Sequence, residues 1–392
     1  MILLQGDLSN FIWIFLFFFM MFFYPRLLVY QLIARFSRTA MLLDNLALKG
    51  KNIIIKKMKN GESEVKKELE DFLNFFVIQP VNLDPFGIIQ KLEHLENLEE
   101  SRFIYFVEKI GRNLSEDEKW NIISALSAEI GIYQLSKIIK HYILLIQKTN
   151  SYQLGLILQM QLPLIEKYSK SLYKAIESLA DGVPIGDSIG PLVASMFITK
   201  KTKEMDNMVY SVEKIHNKKV IILKAKGPGA RIGKVGRVTE TLIKKYKIEK
   251  IITIDAAIKL ESEKTGEVAE GIGVAIGGIG VEKAIIEEIA TKKKLVLDTY
   301  IIKMSNEEAL IPMKEEILEG GRRTKSLIEK NIKESREGRI LIIGVGNTCG
   351  IPNNKKELES VFKKIEENSK KIKKWEEEEK KREEKFKWFS SM

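Results

Sequence analysis

The stretch Arg339–Asn347, RILIIGVGN, is a continuous apolar run that ends in a glycine-rich turn. Such a run is typical of a strand that is buried on both faces of a sheet. Similar runs precede it and alternate with helical patterns: KVIILKA (219–225), KIITIDAA (250–257) and KLVLDTYIIKM (294–304). Because apolar strands that alternate with helices form parallel sheets covered on both faces, the sequence predicts a three-layer α/β domain with a mostly parallel sheet over residues 181–350.

The rest of the chain has a different pattern. Over residues 61–180, apolar residues recur at intervals of three and four, which predicts a helical domain that could dock a protein partner. Within it, LSED (114–117) predicts a helix start capped by Ser115. Residues 351–392 are rich in Lys and Glu, which predicts a charged, solvated C-terminal helix.

Residues 1–32 contain the most apolar part of the chain, with no charged residue between Asp7 and Arg26. Continued to Tyr30, this run reaches the roughly 20 residues that span a bilayer, which predicts an uncleaved transmembrane anchor. A buried core helix and a cleaved signal peptide are the alternatives. A signal peptide would have basic residues before the run and a small-residue cleavage site soon after it, and the sequence has neither.

The charges beside this run predict its orientation. The first 60 residues contain eight basic and two acidic side chains, and all eight basic residues follow the apolar run. The positive-inside rule therefore predicts an outside N-terminus, a basic juxtamembrane segment over residues 33–60 and a cytoplasmic body. We expect residues 9–60 to contact anionic membrane lipids. Nucleic acid is the weaker explanation of the net charge of +11, because the charge clusters beside the apolar run without a base-stacking motif.

The composition excludes two kinds of site. Cys349 is the single cysteine of the chain, so an internal disulfide is impossible. With three histidines in addition, a dense His/Cys metal site is not expected.

Two glycine-rich turns precede predicted helices. The first, KGPGARIGKVGRV (226–238), follows a strand, where free amides at a helix N-terminus bind anions. It does not match the Walker pattern, yet an anion site there would use Lys226, Gly227, Gly229, Arg231 and Lys234. The alternative is a tight turn with solvated lysines. The second turn, with Gly277, Gly278 and Gly280, stands at the wrong place for a dinucleotide site.

Two aspartates stand where a parallel sheet collects functional groups. Asp255 ends the apolar part of KIITIDAA, and Asp187 lies in DGVPIGDSIGPLVA (181–194), just before a helix. Two carboxyl groups in one crevice could share a proton and activate water, or hold a divalent metal ion. Alternatively, each aspartate caps a local helix or turn.

The stretches GDSIGPLVA, IITIDAA and GIGVAIGGIG resemble, in that order, the spore germination protease and hydrogenase maturation protease superfamily. The resemblance implies a phosphorylase/hydrolase-like fold and catalytic roles for Asp187 and Asp255. It also implies a ligand site that includes Gly186, Gly190, Gly277, Gly278 and Gly280. No histidine follows His216, so the nickel ligand of the maturation proteases has no counterpart.

The superfamily also has a strand with a GxGN turn before its first aspartate, and here RILIIGVGN comes last. We therefore formulate a hypothesis of circular permutation, in which this strand fills the missing position and brings Gly344, Gly346 and Asn347 beside Asp187.

As a whole, the chain resembles an archaeal membrane-anchored family known as domain of unknown function 1512. The anchor, VNLDPFGIIQKLEH, DGVPIGDSIGPLVA, KGPGARIGKVG and GVGNT carry this resemblance. It implies an architecture but no chemistry. The sequence thus predicts a possible hydrolase. The alternatives are a non-catalytic module that binds a phosphorylated or anionic ligand, and a membrane scaffold.

Overall fold

The structure is a computed structural model that describes residues 3–58, 62–76, 87–274, 276–277 and 280–390. Helices form the first part of the chain, and a sheet with helices forms the second. The helices that precede the sheet are α1 (Leu3–Met58), α2 (Glu62–Phe76), α3 (Ile88–Ile110), α4 (Glu116–Thr149) and α5 (Tyr152–Ala180). As predicted, Ser115 caps α4, in a reciprocal capping box with Glu118.

Helix α1 runs without a break from the apolar N-terminal stretch into the helical domain. From Val29 onward it packs against α4 and α5, and Phe36, Leu43 and Ile54 are fully buried. The predicted juxtamembrane segment therefore supplies core residues as well as basic ones. Its apolar side chains recur at intervals of three and four, which places them on one face of a helix.

The N-terminal part of α1 differs from the rest because its apolar side chains are exposed. From Ile12 to Tyr24, the described side chains are 42–73% exposed. Among the described residues, Ile12–Met58 and Glu116–Thr149 are long and apolar enough to cross a membrane. Half of the apolar window in the second helix is buried inside the protein, whereas the window in α1 is almost wholly unburied.

The second part of the chain contains a seven-stranded sheet in the order β1-β2-β3-β7-β4-β6-β5. The strands are β1 (Lys203–Met205), β2 (Met208–Ile215), β3 (Lys218–Ala225), β4 (Lys250–Ile258), β5 (Val268–Ile272), β6 (Val296–Met304) and β7 (Arg339–Gly344). The four predicted strands, β3, β7, β4 and β6, are mutually parallel. The sheet as a whole is mixed rather than mostly parallel, because β1, β2 and β5 pair antiparallel.

Two tight hairpins account for β1 and β2, whereas β5 follows β4 after residues 259–267 and pairs with β6. Strands β1 and β2 are joined through Asp206 and Asn207, and β2 and β3 through His216 and Asn217. All four residues have positive φ, as the favoured two-residue hairpin turn requires. Asn and Asp tolerate that conformation well, so the pairs Asp-Asn and His-Asn were the available sequence signals.

Helices cover both faces of the sheet. On one face lie α6 (Ile189–Phe197), α10 (Glu315–Glu334) and the start of α11 (Leu358–Ser390). On the other lie α7 (Val235–Tyr246) and α8 (Val281–Lys293), while the short α9 (Asn306–Leu310) packs against α5. Fully buried side chains such as Ile222 and Ile342 line the sheet, and each contributes about 1.5–3 kcal/mol.

The predicted charged tail is a helix, but its first turns are not solvated. Leu358, Val361 and Ile365 of α11 are buried in the core that α6 and α10 share with the sheet. Their spacing of three and four residues places them on one face. The tail therefore begins as part of the α/β domain.

Candidate functional site

The candidate site lies where the parallel strands β3, β7 and β4 end. Strands β3 and β7 are neighbours, yet the chain leaves β3 toward α7 on one face and β7 toward α11 on the other. Such a reversal opens a crevice at the C-terminal edge of a sheet, which is where α/β proteins bind ligands. Helix α4 borders this crevice, since the Asn347 side-chain amide donates to the Ser124 hydroxyl at 3.3 Å.

Asp187 lies in a single 3₁₀ turn, Gly186–Ser188, at the start of α6. Its Oδ2 accepts the backbone N–H of Asn347 at 2.8 Å. The terminal strand β7 lies in the middle of the sheet, so the predicted placement of Asn347 and its turn beside Asp187 is confirmed. Burial raises the pKa of Asp187 above its usual value, although part of the side chain still contacts solvent.

Asp255 lies on β4, one residue beyond the end of its pairing with β7. Its side chain is 5% exposed, and it accepts the N–H groups of Ala256 at 2.7 Å and Gly277 at 3.1 Å. Burial, and secondly the charge of Asp187, raise the pKa of Asp255 well above its usual value. An ionised Asp187 therefore disfavours the ionisation of Asp255.

The close contacts around Asp187 depend on glycine. A Cβ on Gly190 would lie 2.1 Å from the carbonyl oxygen of Val345, and one on Gly346 would lie 2.1 Å from that of Asp187. A Cβ on Gly186 or on Gly344 would likewise lie too close to a backbone carbonyl oxygen. Gly190, Gly344 and Gly346 bring the end of β7 and its loop against the start of α6, whereas Gly186 lets α9 approach the same turn, and both contacts set the position of Asp187.

The loop beside Asp255 is open by contrast. Among the described residues, a Cβ on Gly273, Gly277 or Gly280 would meet no atom within 4 Å, and Gly277 donates its N–H to Asp255. The predicted Gly278 lies outside the described residues. At Gly277, Asp255 is thus approached by a residue that has no side chain.

The basic turn after β3 is docked onto the helical domain. The Arg231 guanidinium is 1% exposed and donates to Glu116 at 2.9 Å and Asp117 at 2.7 Å, both in the first turn of α4. Lys226 pairs with Glu204 at 2.9 Å. The remaining two cations of this turn are also paired: Lys234 with Glu100 and Arg237 with Glu93. Since all four basic side chains have acidic partners, the pairing argues against an anion site here.

The backbone of this turn is held in a similar way. Gly227 exchanges two hydrogen bonds of 2.8 Å with the Asn353 side chain, and Gly229 donates to Asp117 at 3.2 Å. Asn121 of α4 accepts the Ala230 N–H at 2.9 Å. The roles of Asn121 and Asn353 were not predictable, because an isolated asparagine carries no signal for a partner more than 100 residues away.

Lys224 at the end of β3 was also missed. It is fully buried, and its ammonium group donates to the Ala225 carbonyl at 3.0 Å and to Asn353 at 3.1 Å. Burial, and secondly the charge of Arg231, lower the pKa of Lys224 to about 7. The sequence feature that could have revealed Lys224 is the presence of a lysine inside an otherwise apolar strand.

We expect Arg231→Met to lower the free energy of unfolding by about 2 kcal/mol. The change removes two charge-assisted hydrogen bonds from a buried guanidinium, while Glu116 and Asp117 remain partly hydrated. Arg237→Met is the matched control, because Arg237 is 54% exposed and such a pair contributes about 0.2–1 kcal/mol. Urea unfolding followed by circular dichroism measures both. Equal losses would show that the Arg231 contacts do not hold the domains together.

No group of three or more His, Cys, Asp or Glu side chains in the described part of the chain is arranged to hold a metal ion. Asp187 and Asp255 would be the two protein ligands of any divalent ion bound at the crevice.

Family comparisons divide the chain at the end of α5. A model described as "Protein of unknown function (DUF1512) N-terminal domain" matches residues 10–182. A model described as "Domain of unknown function (DUF1512) C-terminal" matches residues 185–352. No curated protein matches the chain.

Proposed function

The chain belongs to the DUF1512 family, and on that premise we propose that its α/β domain is a hydrolase whose acid/base groups are Asp187 and Asp255. The observation that carries the proposal is the pair itself. Two desolvated carboxyl groups, one of which raises the pKa of the other, lie at the crevice beyond the parallel strands. A carboxyl group whose pKa is raised both by burial and by a second carboxylate in a cleft is more typical of a catalytic group than of a structural one.

A proton-sharing pair can divide the work of hydrolysis. The ionised carboxylate accepts a proton from water as the water oxygen adds to the substrate carbonyl carbon. The protonated carboxyl group donates its proton to the departing group, so the pair returns to one shared proton. Asp187 and Asp255 differ in exposure and in surroundings, which favours one of them as the acid and the other as the base. A peptide or a similar acyl bond fits this chemistry.

We also propose that helix α1 attaches the protein to a membrane. Helix α1 presents an exposed apolar surface from Ile12 to Tyr24, and the basic residues that follow it favour a cytoplasmic body with an outside N-terminus. The active crevice would then face cytoplasmic substrates, with residues 9–60 in contact with lipid. The candidate metal ion remains part of the proposal through the same two carboxyl groups.

We expect Asp187→Asn and Asp255→Asn each to reduce turnover at least about 100-fold, because each removes one partner in proton transfer. The full chain in detergent micelles is offered peptide libraries with and without divalent ions. Asp181→Asn is the matched control, since Asp181 lies near the site in sequence but is 59% exposed and pairs with Lys57. Turnover that survives in both site variants would remove the acid/base assignment.

A further inference from the structure

The hairpin formed by α4 and α5 has an exposed apolar surface at its closed end. Leu144 is 57% exposed, Ile157 is 64% exposed and Met160 is 77% exposed. Leu156, at 40%, completes a surface that we call the hairpin tip. Leu156, Ile157 and Met160 share one face of α5, because Met160 follows the other two at intervals of four and three residues. A group of exposed apolar residues on one face, unlike single ones, marks a contact with another apolar phase.

Contacts with α1 show where the hairpin lies along the axis of α1. Helix α5 runs parallel to α1, since Gly155 packs on Leu32 and Thr39 donates to Glu166 at 2.5 Å. Helix α4 runs antiparallel, with Ser136 donating to Asp44 at 2.6 Å. The connection between α4 and α5 is therefore level with about residue 30 of α1. At 1.5 Å per residue, this connection lies about 10 Å beyond Tyr24, where the exposed apolar run ends, and Leu144 and Met160 lie roughly 15–20 Å beyond it.

The charges around the hairpin tip have one sign. No acidic residue occurs between Asp7 and Asp44 of α1, or between Glu129 and Glu166 of the hairpin. Basic residues do occur in both stretches, and Arg26, Arg35 and Lys148 are exposed. An apolar surface with a basic rim matches an anionic lipid surface. A second copy of the same surface would bring like charges together.

We propose that the hairpin tip inserts into the lipid interface beside α1, so that the protein is held to the bilayer by the anchor and by a second, shallow contact. This inference rests on the membrane attachment proposed above. The connection at Asn150 and Ser151 lies nearer the anchor than Ile157 and Met160 do, so this contact would place the two apolar side chains at the depth of the lipid headgroups. It would also fix the tilt of the body, and with it the height of the Asp187 crevice above the membrane.

The test uses the full chain in vesicles of zwitterionic and anionic phospholipid. Met160→Cys is labelled with an environment-sensitive dye, and quenching by spin-labelled lipid is measured. The native Cys349 is buried and burial raises the pKa of its thiol to about 12, so it does not compete for the label. Leu260→Cys is the matched control, because Leu260 is also exposed, at 68%, but follows β4 in the α/β domain. Phe19→Cys reports on the anchor.

We expect at least twofold stronger lipid quenching at position 160 than at position 260, with a blue-shifted emission. Quenching at position 19 but not at position 160 would overturn the inference and leave the anchor standing. Absence of quenching at both positions would refute the anchor together with the tip. A blue shift at position 160 without lipid quenching, which grows with protein concentration, would assign the surface to a second copy.

Discussion

Glutamine in place of Glu129 is expected to raise the free energy of unfolding at pH 7 by about 3 kcal/mol. Glu129 of α4 is fully buried, and neither of its carboxyl oxygens has a hydrogen-bond partner among the described residues. Burial raises its pKa to about 9, against an ordinary value of 4.5, and Lys51 only partly opposes this. The native protein therefore keeps a proton at neutral pH that the unfolded chain releases.

The sign of the effect follows from proton uptake. Between pH 4.5 and pH 9 the folded state binds more protons at Glu129 than the unfolded state, so stability falls as pH rises through this range. Below pH 4.5 Glu129 is protonated in both states, so it no longer lowers the free energy of unfolding. Glutamine cannot ionise, so Glu129→Gln removes the loss and leaves stability at low pH nearly unchanged.

Urea unfolding of both proteins at pH 4 and pH 7 measures the difference. Glu70→Gln is the control, because Glu70 of α2 is exposed and its replacement is expected to change stability by less than about 0.5 kcal/mol. Equal stabilities of Glu129→Gln and the native protein at pH 7 would mean that Glu129 is ionised in the fold. In that case a partner outside the described contacts offsets the free-energy cost of burying the charged carboxylate.

The parallel centre of the sheet was predictable, because strands buried on both faces read as unbroken apolar runs. The placement of Asn347 beside Asp187 came instead from the resemblance to a superfamily that has a GxGN turn before its first aspartate, because Asp187 lies at the start of a helix and not at the end of a strand. Strand β2 was not predictable, because MVYSVEKI mixes charges with apolar residues and carries its signal in the turns that flank it.

The docking of the basic turn could not be predicted from local patterns. Lys226–Arg237 is typical of an anion loop because its cations crowd glycines, and their partners lie far away in the chain, on α3, α4 and β1. Nothing in the local sequence distinguishes a cation that awaits a ligand from one that already has a carboxylate. Glu129 illustrates the same limit, since a lone glutamate in a helical pattern is ordinarily a solvated residue.

Alanine at Gly346 is expected to destabilise the fold by about 4 kcal/mol. The residue has a φ of 126°, a conformation that side chains rarely adopt, and a Cβ would lie 2.1 Å from the carbonyl oxygen of Asp187. The strained backbone costs about 1–3 kcal/mol, and overpacking against rigid backbone costs about as much again. Because Asn347 follows directly, the shift that relieves the clash would also move its N–H away from Asp187.

Gly277→Ala provides the matched comparison at the other aspartate. Gly277 has no positive φ, and a Cβ there would meet no atom of the described residues within 4 Å, so we expect a change below about 0.5 kcal/mol. Thermal unfolding of the two variants separates glycines that are needed for packing from those that leave space. Equal tolerance at both positions would show that the loop after β7 does not hold Asp187. Conversely, lost turnover in a stable Gly277→Ala variant would mean that the open side of Asp255 is where the substrate enters.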